Sequence, residues 1–189
     1  MVSLDDGLDG GYGLGALGEL RGEFVAVPGE VWVSYPTGGA TPDVRRAEHS
    51  DETAALLVAA TVSAFRPTTV GADVPGEAVE AQIAALAGQA GVDSARPFPF
   101  LIQGRLRAVH WHVIDATRVE PGKSHAEASQ QGVIDEADAT VVGFYSTAHQ
   151  GIFTMHGQNT HMHFFAPEAG IAGHVDSLEL PAGCIVSFP

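Results

Sequence analysis

Residues 158–176, QNTHMHFFAPEAGIAGHVD, impose a strand, a turn and a returning strand on whatever fold contains them. Pro167, Glu168, Ala169 and Gly170 form the turn signal, and an antiparallel return would carry His174 back beside the first strand. Side chains on a strand alternate faces. His161 and His163 therefore point the same way, about 6.6 Å apart at roughly 3.3 Å per residue. Three neutral imidazoles so placed suit one transition metal at Zn–N distances of about 2.0–2.1 Å, and they leave a position open for water or substrate. A lone His-x-His pair is often no more than two surface or hydrogen-bonded residues. A third histidine on a glycine-bounded return strand favours the metal.

The rest of the second half reads as further strands, at 98–103, 105–115, 140–146, 151–155, 160–165, 174–180 and 184–188. A polar loop over 117–139 interrupts them. The first half reads differently. Residues 1–11 form a loose start, and the glycines that follow imply a backbone running close to something else. Residues 23–27 and 31–35 form a hairpin across Pro28, Gly29 and Glu30, and 40–49 is a polar connection. Ser50 is placed to N-cap a helix over the apolar run to Ala64. A second helix is expected over 75–87, where Val79, Ile83 and Leu86 sit at i, i+4 and i+7. The expectation is an α+β fold of mixed or antiparallel β-sheets with two helices in the first half. It spans 1–189 as a single unit, with a helix-containing half at 1–95 and a strand-rich half carrying the metal site at 96–189.

The net charge of −14 argues against binding nucleic acid or an anionic membrane by charge. It leaves a small anionic substrate open, because the field at a metal differs from the net charge. The one cysteine, Cys184, reads as a small buried hydrophobe. No stretch has the length and apolarity of a membrane span, and no signal-peptide pattern opens the chain, so a cytoplasmic location is the default expectation.

A second His-x-His pair lies in RLRAVHWHVID, residues 105–115. Alternation puts Leu106, Ala108, His110, His112 and Ile114 on one face, so His110 and His112 share a side and could line the same cavity. His156, His149 and His125 fall in polar connections and read as loop or solvated residues. Asp176 reads as an outward-facing carboxylate, the alternative being that it orients a ligand imidazole.

Several segments in order resemble the acetolactate decarboxylases. GYGLGALGELRGEFVAVPGEVWV is similar to that family's N-terminal G-x-F-G-L-G-T-F-x-x-L-D-G-E-x signature. ATVVGFYS followed by THMHFFAPEAGIAGHVDSLEL is similar to its G-T-x-V-G-F and H-x-H-F…G-G-H-V-x-D region, and FLIQGRLRAVHWH to its F-x-I-x-G-x-F-x-x-V-K-x-R strand. Family members are zinc enzymes, often dimers, that convert 2-acetolactate to acetoin and carbon dioxide. The resemblance implies that His161, His163 and His174 are metal ligands, Zn2+ above all. It implies that Glu23, in RGEF, is the active-site glutamate of the D-G-E segment, a proton carrier beside the metal. It also implies a small hydroxy-keto acid as partner and a homodimer as assembly.

There are departures. His112 stands where the family has the arginine of V-K-x-R, and His110 where it has the lysine. A histidine gives no permanent bidentate fork, so His112 would act when protonated or as an extra metal ligand. The stretch from Met155 to Thr160 is longer than the usual lead-in to the histidines, and the family's C-terminal acidic residue has its place beyond Pro189. Two other readings compete. HMHFFAPE has the His-x-His-x4-Glu of a cupin-type metalloenzyme, with Glu168 as fourth ligand. A non-catalytic, metal-dependent small-molecule binding domain on the same scaffold is the other.

Overall fold

The structure, a computed structural model, describes residues 1–118 and 128–189. In chain order it runs β1 (Val2–Ser3), α1 (Leu4–Leu8), β2 (Tyr12–Ala16), β3 (Glu23–Val27), β4 (Glu30–Tyr35), β5 (Asp43–Ala47), β6 (Thr53–Ala54), β7 (Val58–Ala60) and β8 (Arg66–Thr69). Then come α2 (Val79–Gln89), β9 (Phe98–Val113), β10 (Gln130–Tyr145), β11 (Thr160–Ala166), β12 (Ile171–Glu179) and β13 (Ile185–Phe188). A five-stranded antiparallel sheet has the order β5-β4-β3-β2-β7, and a six-stranded one the order β10-β11-β12-β9-β13-β8, with β10 also pairing β9. β1 and β6 pair separately.

Three apolar layers hold these parts together. Val79, Ile83, Leu86 and Ala87 of α2 cover one face of the six-stranded sheet, against Phe98, Phe100, Ile102, Phe164 and Val186. Between the sheets, Leu14, Val25 and Trp32 meet Leu101, Val142, Phe144 and Phe165, with Trp32 stacked on Phe165 at 5.1 Å. Leu4 and Leu8 of α1 close the far face of the five-stranded sheet over Phe24, Ala26, Val31 and Val33. Each fully buried Val, Leu, Ile or Phe among them contributes about 1.5–3 kcal/mol by burial.

The fold class, the 23–35 hairpin and the helix of α2 follow the sequence expectation. Several local readings do not. Residues 50–64 form no helix. Thr53–Ala54 pairs with Val2–Ser3, and Val58–Ala60 completes the edge of β2. The β-branched residues of this run supply a sheet edge its missing partner, and that tertiary demand overrides alanine's helical preference. The short helix α1 lies instead in the supposed loose start. The polar connection at 40–49 contains β5.

The segments 98–103 and 105–115 are one continuous strand, and 130–139 is strand rather than loop. Its polar side chains sit on the outer face of the β9–β10 hairpin, where Arg105 pairs with Glu136 at 3.1 Å. Residues 151–155 are turns with one isolated bridge between Gln150 and Thr154. His125 lies outside the described residues. The glycine-rich start does run against other backbone: a Cβ at Gly15 would come within 2.0 Å of the Leu56 carbonyl oxygen. Among the described residues, no helix is long and apolar enough to cross a membrane.

Candidate metal centre and its cavity

The registers of β11 and β12 decide where the three histidines meet. β11 is buried along its whole length, and His163 pairs directly with His174 of β12. His161 lies two residues back on the same face. Gly173, beside His174, lets β12 close on β9, since a Cβ there would lie 2.7 Å from the His112 carbonyl oxygen. His161 Nε2 comes within 3.1 Å of His163 Nε2, and His174 Nδ1 within 3.3 Å of the same atom. Ligand nitrogens on a tetrahedral ion at about 2.0–2.1 Å stand about 3.3 Å apart.

The donor set fits a cation for a second reason. The other nitrogen of His163, Nδ1, donates to the Phe24 carbonyl at 2.8 Å, which leaves Nε2 as a bare acceptor. One lone pair in the ring plane cannot satisfy both His161 and His174, so a buried nitrogen stays unpaired unless a cation takes all three. His161 Nδ1 is also buried without a partner; the Phe153 carbonyl lies near it, outside hydrogen-bond geometry. Burial, reinforced by the neighbouring imidazoles, drives His163 and His174 far below the ordinary histidine range, and burial above all brings His161 down to about 4. All three are thus in the neutral form that ligates metals.

Two of these rings, His161 and His174, open onto a cavity of about 420 Å³. Glu23, Thr154, Ile114 and His112 also line it, together with Leu20, Leu56 and Ile152. Glu23 is only 4% exposed, and its Oε2 lies 3.9 Å from His163 Nε2. Burial pushes its carboxyl well above the usual range; the Ile114 backbone N–H opposes this and the charge of Asp176 adds to it. A bound cation would pull in the opposite direction.

The second histidine pair is split by the fold. His112 is buried on the cavity wall, its ring 4.4 Å from that of His174. His110 is exposed and does not line the cavity, so the expectation that both histidines face it is corrected. The pairing of β9 with β12 carries two irregularities here. Between Val175 and Ser177, β12 gains the extra residue Asp176, and further along β9 gains Ala108, whose φ is +46°. The bulge turns Asp176 toward β9, where His112 Nδ1 donates to it at 2.7 Å. Asp176 thus orients His112 rather than a member of the close-set triad. A second group of potential ligands joins His112 to His174 and Asp176, and it shares His174 with the His161–His163–His174 set.

Other expected residues fall elsewhere. Glu168 is exposed in the turn before β12, far from the role a cupin gives it. His156 is exposed, whereas His149 is half-buried, bonded to Ser146 Oγ at 2.7 Å and stacked on Phe153. Sequence reasoning passed over Thr154 altogether, because nothing local marks a threonine that is buried by a turn.

The sequence profile of the family described as alpha-acetolactate decarboxylase matches residues 7–187. The chain belongs to that family. It is a decarboxylase by that membership. The structure is similar to acetolactate decarboxylase from Bacillus subtilis subspecies spizizenii, with a TM-score of 0.70 at 19% identity over 95% of this chain and 73% of that one. The enzyme of Bacillus subtilis strain 168 gives 0.68 at 21% identity, over 95% and 74%. A Staphylococcus aureus protein of unknown function, described as similar to alpha-acetolactate decarboxylase, gives 0.72 at 16% identity, over 100% and 77%. At these identities the likeness is one of fold, and it removes the cupin architecture. No curated protein matches the chain.

Proposed function

We propose that this decarboxylase is a metal-dependent carboxy-lyase for a small 2-hydroxy-3-keto acid, taking 2-acetolactate or a close relative to acetoin, or its analogue, and carbon dioxide. One observation carries the reading: three neutral imidazoles converge to 3.1–3.3 Å at a cavity that also holds a buried glutamate. His161, His163 and His174 would hold a divalent transition metal, Zn2+ first among them. Such an ion would supply Lewis-acid stabilisation of the negative charge that develops on the keto oxygen.

The chain's own groups account for the rest. Loss of carbon dioxide breaks the C1–C2 bond, and its electron pair passes to C2 and the keto oxygen as an enolate. A proton must then reach C2 from one side. Glu23 is the proton carrier, placed beside the histidines and held by the Ile114 N–H, with burial raising its carboxyl against the lowering that a bound cation would bring. With Nδ1 engaged by Asp176, His112 offers Nε2 to a ligand in the cavity and helps fix its orientation. His110, being exposed, has no part in this scheme. The homodimer implied by the family resemblance belongs to the same reading, and light scattering on the purified protein tests it.

The deciding experiment is metal content of the purified protein, followed by an acetoin and carbon dioxide assay on racemic 2-acetolactate, with His163→Ala as control. Zinc, manganese, iron and copper loading identify the metal. One bound ion per chain and turnover lost in the variant are expected. One bound ion with no turnover would redirect the search to other hydroxy-keto acids. No metal uptake under any loading would overturn the reading.

A further inference from the structure

We propose that Thr154 is a substrate-binding residue whose hydroxyl donates a hydrogen bond to the carboxylate of a bound 2-hydroxy-3-keto acid; the inference rests on the functional reading above. Thr154 is 3% exposed, lines the cavity, and its Oγ1 has no hydrogen-bond partner. A buried hydroxyl without a partner destabilises the free protein, and such groups are rare unless a ligand or water completes them. The side chains near it on the same wall, Ile152, Phe153 and Met155, supply no polar atom. Thr154 lines the cavity, so a ligand bound there would supply the partner.

The turn that carries Thr154 is built to hold it still. The His149 carbonyl accepts from the N–H groups of Ile152, Phe153 and Thr154 at 3.1–3.3 Å, and Gly151 N–H donates to the Thr154 carbonyl at 2.7 Å. Gln150 binds Asn159 Oδ1 at 2.8 Å and accepts from Gly157 N–H at 3.1 Å. At the end of the loop, Glu80 of α2 accepts from the Asn159 N–H at 2.7 Å, from Asn159 Nδ2 at 2.8 Å and from the Thr160 N–H at 3.2 Å. The adjacent Phe153 carbonyl lies near the His161 ring, which places the Thr154 turn beside the histidine cluster. With the substrate's hydroxyl and keto oxygens turned to the histidines, the carboxylate is its remaining polar group. A threonine hydroxyl can donate to it.

The donated bond is strongest before the carboxylate leaves. Its loss therefore weakens binding more than it slows the chemical step. Thr154→Val removes the hydroxyl and keeps the shape, and Thr154→Ser keeps the hydroxyl. Three quantities are read: kcat and KM on 2-acetolactate, Kd for 2,3-dihydroxy-2-methylbutanoate, and Tm of the ligand-free protein. The diol acid lacks the keto group and cannot release carbon dioxide. In Thr154→Val, KM and Kd rise about tenfold or more, kcat stays within about threefold, and the ligand-free Tm is unchanged or higher. Thr154→Ser restores binding. Wild-type affinity in Thr154→Val, or a lowered Tm that serine rescues without any change in binding, would overturn the assignment and make the hydroxyl structural. A wild-type protein that binds neither compound would sink the functional reading and this proposal together, an outcome distinct from the first two.

Discussion

The pair His161 and His163 on β11 and the pair His110 and His112 on β9 have the same spacing, yet the fold gives them opposite fates. β11 runs between β10 and β12 and is buried along all of Thr160–Ala166, so both of its histidines are enclosed and His174 is brought opposite one of them. The pair on β9 straddles the edge of the cavity. His112 faces His174 across the β12 register and lies inside, while His110 faces Ser177 and Val133, both exposed, and lies outside. Spacing puts two side chains on one face of a strand, but burial along the strand decides whether they share a site.

The contrast can be broken experimentally. The largest effect is expected from His163→Ala, which removes the nitrogen common to both short contacts. Metal affinity in a chelator competition falls at least a hundredfold, and turnover disappears with it; retained metal would show that the β11 pair is not the centre. Glu23→Gln comes next. Metal content holds, while kcat drops by roughly 10²–10⁴; intact turnover and intact product chirality would remove Glu23 as the proton carrier. His112→Ala is expected to cost about tenfold to a hundredfold in kcat/KM through lost orientation, with metal still bound. Asp176→Asn, which keeps the shape but weakens the 2.7 Å contact, costs less, about tenfold at most. His110→Ala changes kcat/KM less than about twofold and stability by about 0.5 kcal/mol or less. A His110 variant as impaired as the His112 variant would end the distinction between the two positions.

Much of this was legible before folding. The turn at 167–170, the antiparallel return and the meeting of His163 with His174 all follow from alternation and turn chemistry, which act over a few residues. Helix α2 was legible for the same reason, since its apolar spacing is a local signal. Residues 50–64 misled because an alanine-rich run carries helix propensity and strand capacity together, and the choice belonged to the unpaired edge of β2. Residues 130–139 misled because a strand with one solvated face looks like a polar loop until its partner β9 is in place.

The sequence alone therefore settled the α+β class and two faces of histidines, because strand periodicity is written in neighbouring residues. Only the tertiary structure decided which histidines are shared. His163 takes its tautomer from the Phe24 carbonyl, 139 positions away, and His112 its orientation from Asp176, 64 positions away at a bulge. Glu23 enters the site because the five-stranded sheet packs against the six-stranded one, and Thr154 because a turn closes over the cavity. Contacts of that reach depend on how whole sheets pack and where a strand gains one residue, and no local pattern encodes either.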